Sequence, residues 1–403
     1  MIRTKLIAAA ALLLWQDCAL AQMQHRHGSD AACDEPALRC ASKVTPAFAS
    51  DGTLWLAWMA GGKVSVASSR DGGGSFSAQV EATPERLNLD WGPDARPKIA
   101  IDGKGHIALT FAIFKDKAFN GQVLYTHSED GGKSFASPRP ITADNESQRF
   151  ETVGFDGNGA LFATWLDKRN RLPAQQAGKK YEGAALFFAS SVDGGASYSD
   201  ARMAIDNTCE CCRLALAFDP SNRPVVVFRN IFEGGVRDHA VITFADRATA
   251  GEAHRVAVDD WQIAACPHHG PSLAITAKGS YHVTWFTNGK ARKGLFYAHS
   301  RDRGRTFSEP LAIGDPARAP SRPYVQEGPH GLAIAWKEFD GERTFVKLMS
   351  SSDDGQSWTK PKVIAETSDA SDHPLLVADG RRTYLSWMTK ADGYRFIPIE
   401  DQP

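Results

Sequence analysis

The 403-residue chain has no excess of either charge: 46 Lys and Arg against 47 Asp and Glu leave a formal net charge of −1. That balance supplies no basic face for nucleic acid and no acidic tail. Beyond residue 21 no apolar run approaches the roughly 20 residues of a membrane-spanning helix, which argues against membrane insertion. Cysteine is sparse, at seven residues, and no break in composition marks a second domain.

What is present begins with MIRTKLIAAAALLLWQDCALAQ, where Arg3 and Lys5 precede an apolar run from Leu6 to Trp15 and Ala19-Leu20-Ala21 offers small residues for cleavage. This reads as a secretory signal peptide over 1–21, so the expected location is periplasmic or secreted. Trp15, Gln16 and Asp17 argue against lipidation at Cys18. Residues 22–32 read as a disordered lead-in and 33–403 as one domain. Once Cys18 is removed with the leader, the remaining cysteines face an oxidising compartment, where disulfides persist.

Self-similarity is the strongest signal. SRDGGGSF (69–76), SEDGGKSF (128–135), SVDGGASY (191–198), SRDRGRTF (300–307) and SSDDGQSW (351–358) share the pattern SxDxGx(S/T)(F/Y/W). The double interval between the third and fourth copies predicts one degenerate unit near ITFADRATAGEAHRV. Asp and Gly form a tight turn whose carboxylate caps backbone N–H groups, with the aromatic packed beneath, so the motif is a folding device at a hairpin. A β-rich run closing on Trp or Phe recurs as LWLAW, IALTF, LFATW, VVVF, YHVTW, LAIAW and TYLSW. Together these predict an all-β chain folded as a seven-bladed β-propeller, with six blades as the alternative. The last unit has only three strands, and ALRCASKV (37–44) is expected to supply the fourth and close the ring.

The repeated turn on a four-stranded unit resembles the Asp-box, or BNR-repeat, propellers of the sialidase-like superfamily, over nearly the whole mature chain. The resemblance implies the fold more than any activity. In such a propeller the connection entering each inner strand lies around the channel mouth, where ligands bind. Aligned that way, DNTCECCR enters blade 4 and ACPHHGPS enters blade 5, so Cys209, Cys211, Cys212 and Cys266 should meet there with His268 and His269. Three readings stay open. Cys266 could form a disulfide with one of the clustered cysteines, with Cys33 and Cys40 paired separately. Thiolates and imidazoles could hold a soft metal, copper or zinc, with Met23, His25 and His27 as further copper ligands. A redox-active dithiol is the third. CECC and CPHH match no familiar zinc or haem sequence.

The resemblance also implies three arginines on a substrate carboxylate, a Tyr nucleophile activated by Glu, and an Asp acid/base. Arg96, Arg213 and Arg322 occupy equivalent starts of inner strands, with His373 in a fourth such slot and Tyr324 two residues past Arg322. Glu151, Asp94 and Asp167 are candidate acids. The family's FRIP-type sequence is absent near the N-terminus, and these arginines could instead pair with neighbouring carboxylates. The loop IFEGGVRDHAV brings Arg237, Asp238 and His239 to the same face, either as an ordinary connection with Arg237 and Asp238 paired or, with Arg229, as a ligand site. The expected function is binding of a small-molecule ligand or soft metal at the mouth of blades 4 and 5. The alternatives are an exo-sialidase-type glycoside hydrolase and a non-catalytic propeller with structural disulfides, and a protein partner is open to any such surface.

Overall fold

The computed structural model describes residues 33–92 and 94–399; the expected leader and lead-in, including Met23, His25 and His27, lie outside the described residues. The runs closing on Trp or Phe all become second strands of antiparallel sheets, for example Leu161–Asp167 and Tyr281–Asn288. Leu161–Asp167 is buried along its whole length. Strands covered on both faces lose the apolar-polar alternation, which is why these runs are apolar throughout.

The described residues form six four-stranded sheets and one of three strands. Their inner strands are Val44–Phe48, Lys98–Ile101, Gln148–Phe155, Ala215–Phe218, Ser272–Ile275, Ser321–Gly328 and Leu375–Ala378. Each packs against the next, and the last against the first, which closes a seven-bladed propeller around a central channel. One apolar cluster fills every interface between neighbouring blades. Burying an indole requires a partner for its N–H. Trp165 donates to Asp167 (3.0 Å), Trp285 to Asp259 (2.8 Å) and Trp336 to Glu338 (2.8 Å).

The unit expected to be degenerate is a full sheet, ending with Ala253–Arg255, and its turn retains the capping of Ala248 N–H (2.7 Å) and a long bond from the Thr249 hydroxyl (3.4 Å), both to Asp246. The expected closing strand does not form. Leu38–Cys40 is a 3-10 turn against the second strand of blade 1 and the last strand of blade 7. Its N–H groups are used locally, Cys40 to Ala37 O and Ala41 to Leu38 O, and the Pro36 carbonyl takes the Trp58 indole N–H at 2.8 Å. No ladder can be built from groups so engaged. The expected Cys33–Cys40 disulfide is present.

The repeated turns behave as one device. Asp71 accepts from Ser69 Oγ (2.7 Å), Ser75 N (2.9 Å) and Ser75 Oγ (2.6 Å), while Ser69 Oγ accepts from Gly73 N (2.9 Å). Asp130, Asp193, Asp302 and Asp353 repeat the arrangement. The closing aromatic packs into the preceding blade: Tyr198 on Tyr125 (4.7 Å) and Trp358 on Tyr297 (4.9 Å). So does the motif glycine. A Cβ at Gly132, where φ is +80°, would stand 2.3 Å from the Trp55 ring of blade 1, whereas one at Gly131 would meet nothing within 4 Å.

That contrast separates backbone strain from blade packing. Gly131→Ala should cost about 1 kcal/mol, the positive-φ penalty alone. Gly132→Ala adds overpacking and should cost roughly 2–4 kcal/mol in urea unfolding. Equal losses in the two variants would show that the turn does not key one blade to the next.

Candidate functional site

Connections entering the inner strands converge at the channel mouth, and their meeting point is Asp94. Its buried carboxylate accepts from Arg213 N (3.3 Å), Arg213 Nη1 (3.1 Å), Gly270 N (3.0 Å) and Arg322 Nη1 (2.9 Å). Burial pushes this acid up, but Arg213 and Arg322 outweigh it and hold it at about 2. Arg96 lies beside them and donates to Asp372 Oδ1 at 2.5 Å and to the Val44 carbonyl at 3.2 Å. The three arginines expected at equivalent strand starts are thus brought to one mouth, each with a carboxylate of the protein.

Arg213 directly follows Cys212, and Gly270 lies four residues past Cys266, so Asp94 fastens both thiol-bearing segments. The ligand atoms of Cys209, Cys211 and Cys212 all lie within 4.8 Å of one another, with Sγ of Cys209 and Cys211 at 3.7 Å. Cys266 arrives from the segment entering blade 5 and lines the same cavity as Cys211, outside the trio whose ligand atoms lie within 4.8 Å of one another. All four are free thiols; the first three are buried and Cys266 is exposed. A cavity of about 80 Å³ opens onto Cys211, Cys266, His268, Glu210, Lys168 and Arg149.

Two guanidinium groups stand against these sulfurs. Arg237 Nη1 donates to Cys209 Sγ at 3.4 Å and Nη2 to the Glu182 carbonyl at 3.4 Å. Arg229 is fully buried and donates only to carbonyls: Arg237 O (2.8 Å), His269 O (3.0 Å) and Phe286 O (3.1 Å), with Trp261 beneath it at 4.5 Å. A buried cation without a counter-ion is costly. Hydrogen bonds from Cys211 and Cys212, then the charges of Arg229 and Arg237, hold the Cys209 thiol well below its usual range.

The remaining candidates separate. Arg237 and Asp238 do not pair with each other. Asp238 instead binds Arg255 and accepts from Asp259 N (2.8 Å), Asp260 N (3.0 Å) and Trp261 N (3.2 Å), so it shapes the connection entering blade 5. His239 is buried against Trp285, and burial with Arg229 and Arg213 keeps it neutral. His269 stacks on Phe286 at 4.2 Å and is held at about 3 by burial and Arg322. His268 lines the thiol cavity with φ of +50°. Asp167 is occupied by Trp165 and Arg169. Tyr324 is pushed up by burial, and the charged groups acting on it are Arg213 and Arg96. Two lysines with no sequence signal stand near these charges: burial lowers Lys98 to about 7, with Glu151 opposing, and Lys337 to about 8, with Asp372 opposing.

No protein-family model matches the sequence, and no curated protein does. Solved structures share the fold. A Hadza microbial sialidase matches with a TM-score of 0.52 at 14% identity, over 87% of this chain and 73% of that one. An ulvan lyase, a polysaccharide lyase, matches with a TM-score of 0.55 at 12% identity, over 89% and 94%. A protein of unknown function from Dyadobacter fermentans matches with a TM-score of 0.52 at 16% identity, over 77% and 95%. Similarity at these identities establishes the propeller architecture.

Asp94→Asn leaves Arg213 and Arg322 without their counter-ion and should destabilise the protein by roughly 3–5 kcal/mol. The folded value of about 2 lies below the ordinary carboxylate value. Its stabilisation is therefore complete above about pH 4 and lost as pH falls through about 2. The gap in unfolding free energy between wild type and variant should narrow over that window; a gap independent of pH would assign the loss to packing.

Proposed function

We propose that this propeller binds a soft metal ion, Cu(I) or Zn²⁺, through Cys209, Cys211, Cys212 and Cys266 at the mouth between blades 3, 4 and 5. The observation carrying this reading is that three free thiols lie within 4.8 Å of one another beside Arg237, and a segment fifty-odd residues further on brings a fourth, Cys266, to the cavity that Cys211 lines. Tetrahedral zinc holds sulfur at about 2.3 Å, which spaces its ligands about 3.8 Å apart. The Cys209 to Cys211 separation of 3.7 Å fits that edge. Charge also fits. Four thiolates on Zn²⁺, or three on Cu(I), leave a dianionic centre, and Arg229 and Arg237 supply two positive charges next to it. His268 is the remaining donor on the cavity side. Bound there, the ion would tie the connections entering blades 4 and 5 to each other.

The glycoside-hydrolase alternative has less support. Arg213 and Arg322 are committed to Asp94 and Arg96 to Asp372, and no carboxylate is among the charged groups acting on Tyr324. A Tyr nucleophile needs an adjacent base to ionise it.

Protein purified without chelator from the compartment to which it is exported should carry close to one copper or zinc per chain by elemental analysis. Metal removal should lower the unfolding midpoint, because an ion bound only by the folded state stabilises it. The double variant Cys211→Ser, Cys212→Ser should lose the metal and become insensitive to chelation. Peptide mapping that finds the four cysteines in disulfides, together with no uptake of either ion after reduction, would overturn the proposal.

A further inference from the structure

A cavity of about 600 Å³ opens at the outer end of the interface between blades 2 and 3, and it shares no residue with the cavity at the thiols. The short outer strand of blade 2 leaves it uncovered. Gly121–Ser128, the third strand of that blade, is eight residues long, but the fourth, Arg139–Pro140, pairs with it only at Leu124 and Tyr125. Pro140 has no N–H with which to extend the ladder. Ile141 makes one further bond, to the Val123 carbonyl at 3.0 Å, before the chain passes to blade 3. Residues 198–201, which follow the repeated turn of blade 3, supply another wall, and Arg169 comes from beyond the second strand of the same blade.

Tyr125 is the fixed point of the cavity. It is 7% exposed, with Tyr198 packed edge-on to its ring at 4.7 Å and the Arg139 guanidinium over the ring at 5.2 Å. Its hydroxyl makes no hydrogen bond among the described residues and is not sealed from the cavity that Tyr125 lines. A packed ring ending in an unmet hydroxyl is a contact organised before any ligand arrives. Arg169 is held as firmly. Its guanidinium lies 4.0 Å over the Phe187 ring, and Nη2 donates to Asp167 (2.6 Å) and Thr142 Oγ1 (3.2 Å). Nη1 donates to nothing among the described residues. Acceptors share the wall. Asp144 takes the Glu146 N–H at 2.8 Å through Oδ1, while Oδ2 stands 3.9 Å from Arg169 Nε. The exposed Asp200 carboxylate takes no hydrogen bond or ion pair among the described residues.

We propose that this cavity binds an uncharged, hydroxyl-rich ring, one or two units of a neutral sugar. Open donors and open acceptors occur together in its wall. A hydroxyl group answers both, accepting from the Tyr125 hydroxyl or Arg169 Nη1 and donating to Asp144 or Asp200. Charge excludes the other classes. Asp167, buried behind Arg169, matches its charge, which leaves Asp144 and Asp200 in excess and disfavours an anion. A cation would have to stand against Arg169 and Arg139 and would leave the open donors unmet. The Tyr125 and Tyr198 rings offer apolar surface to the carbon face of a sugar. The volume is that of a small-molecule cleft, roughly 300–1,000 Å³.

Calorimetric titration of the whole protein with cellobiose, maltose and lactose tests the proposal. At least one of these neutral disaccharides should bind, and neither D-glucuronate nor spermidine should displace it. Tyr125→Phe removes the unmet hydroxyl and keeps the packed ring, so it should fold and weaken the binding about tenfold, the effect of one lost hydrogen bond. Asp200→Asn, at an exposed position, should weaken it in the same direction. Failure of all three sugars to bind would overturn the proposal, as would displacement by either charged competitor. Affinity unchanged in both variants would place the sugar elsewhere on the propeller and overturn it equally.

Discussion

The mouth of this propeller depends on one buried carboxylate. Asp94 comes from the connection entering blade 2 and is bound by groups of Arg213, Gly270 and Arg322, which belong to the connections entering blades 4 and 5 and to the inner strand of blade 6. No ladder hydrogen bond joins these segments; each belongs to a different sheet or to none. A buried charge must find partners where water cannot reach it, so the segments are drawn to Asp94 and held in register by it. Arg322 adopts φ of +56° in doing so. Arg213, next to Cys212, and Gly270, four residues past Cys266, are both fixed here, which anchors the two thiol-bearing segments side by side.

Around that point the protein distributes charge unevenly. Arg213 and Arg322 are neutralised by Asp94, and Arg96 by Asp372, so the arginines that look like a carboxylate clamp are largely structural. Arg229 and Arg237 receive no carboxylate, only carbonyls and sulfur. Lys98 is opposed by Glu151 and Lys337 by Asp372, and burial lowers both. The thiol site proposed above occupies the place where no carboxylate answers the guanidinium groups.

Much of the architecture was legible because it repeats. Five turns and seven apolar runs count the blades, and alignment on those runs places Cys209 and Cys266 on neighbouring connections, as the structure has them. What was not legible is pairing between distant residues. Asp94 and Arg322 are 228 positions apart and share no motif. Adjacency misled for Arg237 and Asp238: Asp238 turns to Arg255 and backbone N–H groups, while Arg237 turns to Cys209. The segment 37–44 reads as a strand by composition. Its carbonyl and amide groups are instead taken by Trp58 and by its own turn, a competition that only the folded surroundings reveal.

Blade 7 has three strands, and no strand from the N-terminal segment completes it, so the joint between blades 7 and 1 is closed like the others, by packing between separate sheets. It is held by side chains: Asp372 on Val44 N and Arg96, Phe396 against Phe48 and Gly73, and the short turn after Cys33. With a short turn in place of a fourth strand, the outer edge of blade 7 has no ladder partner among the described residues. The cysteine cluster belongs to the interface of blades 3 and 4, on the far side of the circle. The open edge and the buried thiols therefore lie on different parts of the circle, so a partner adding a strand to blade 7 would leave the sulfur cluster undisturbed.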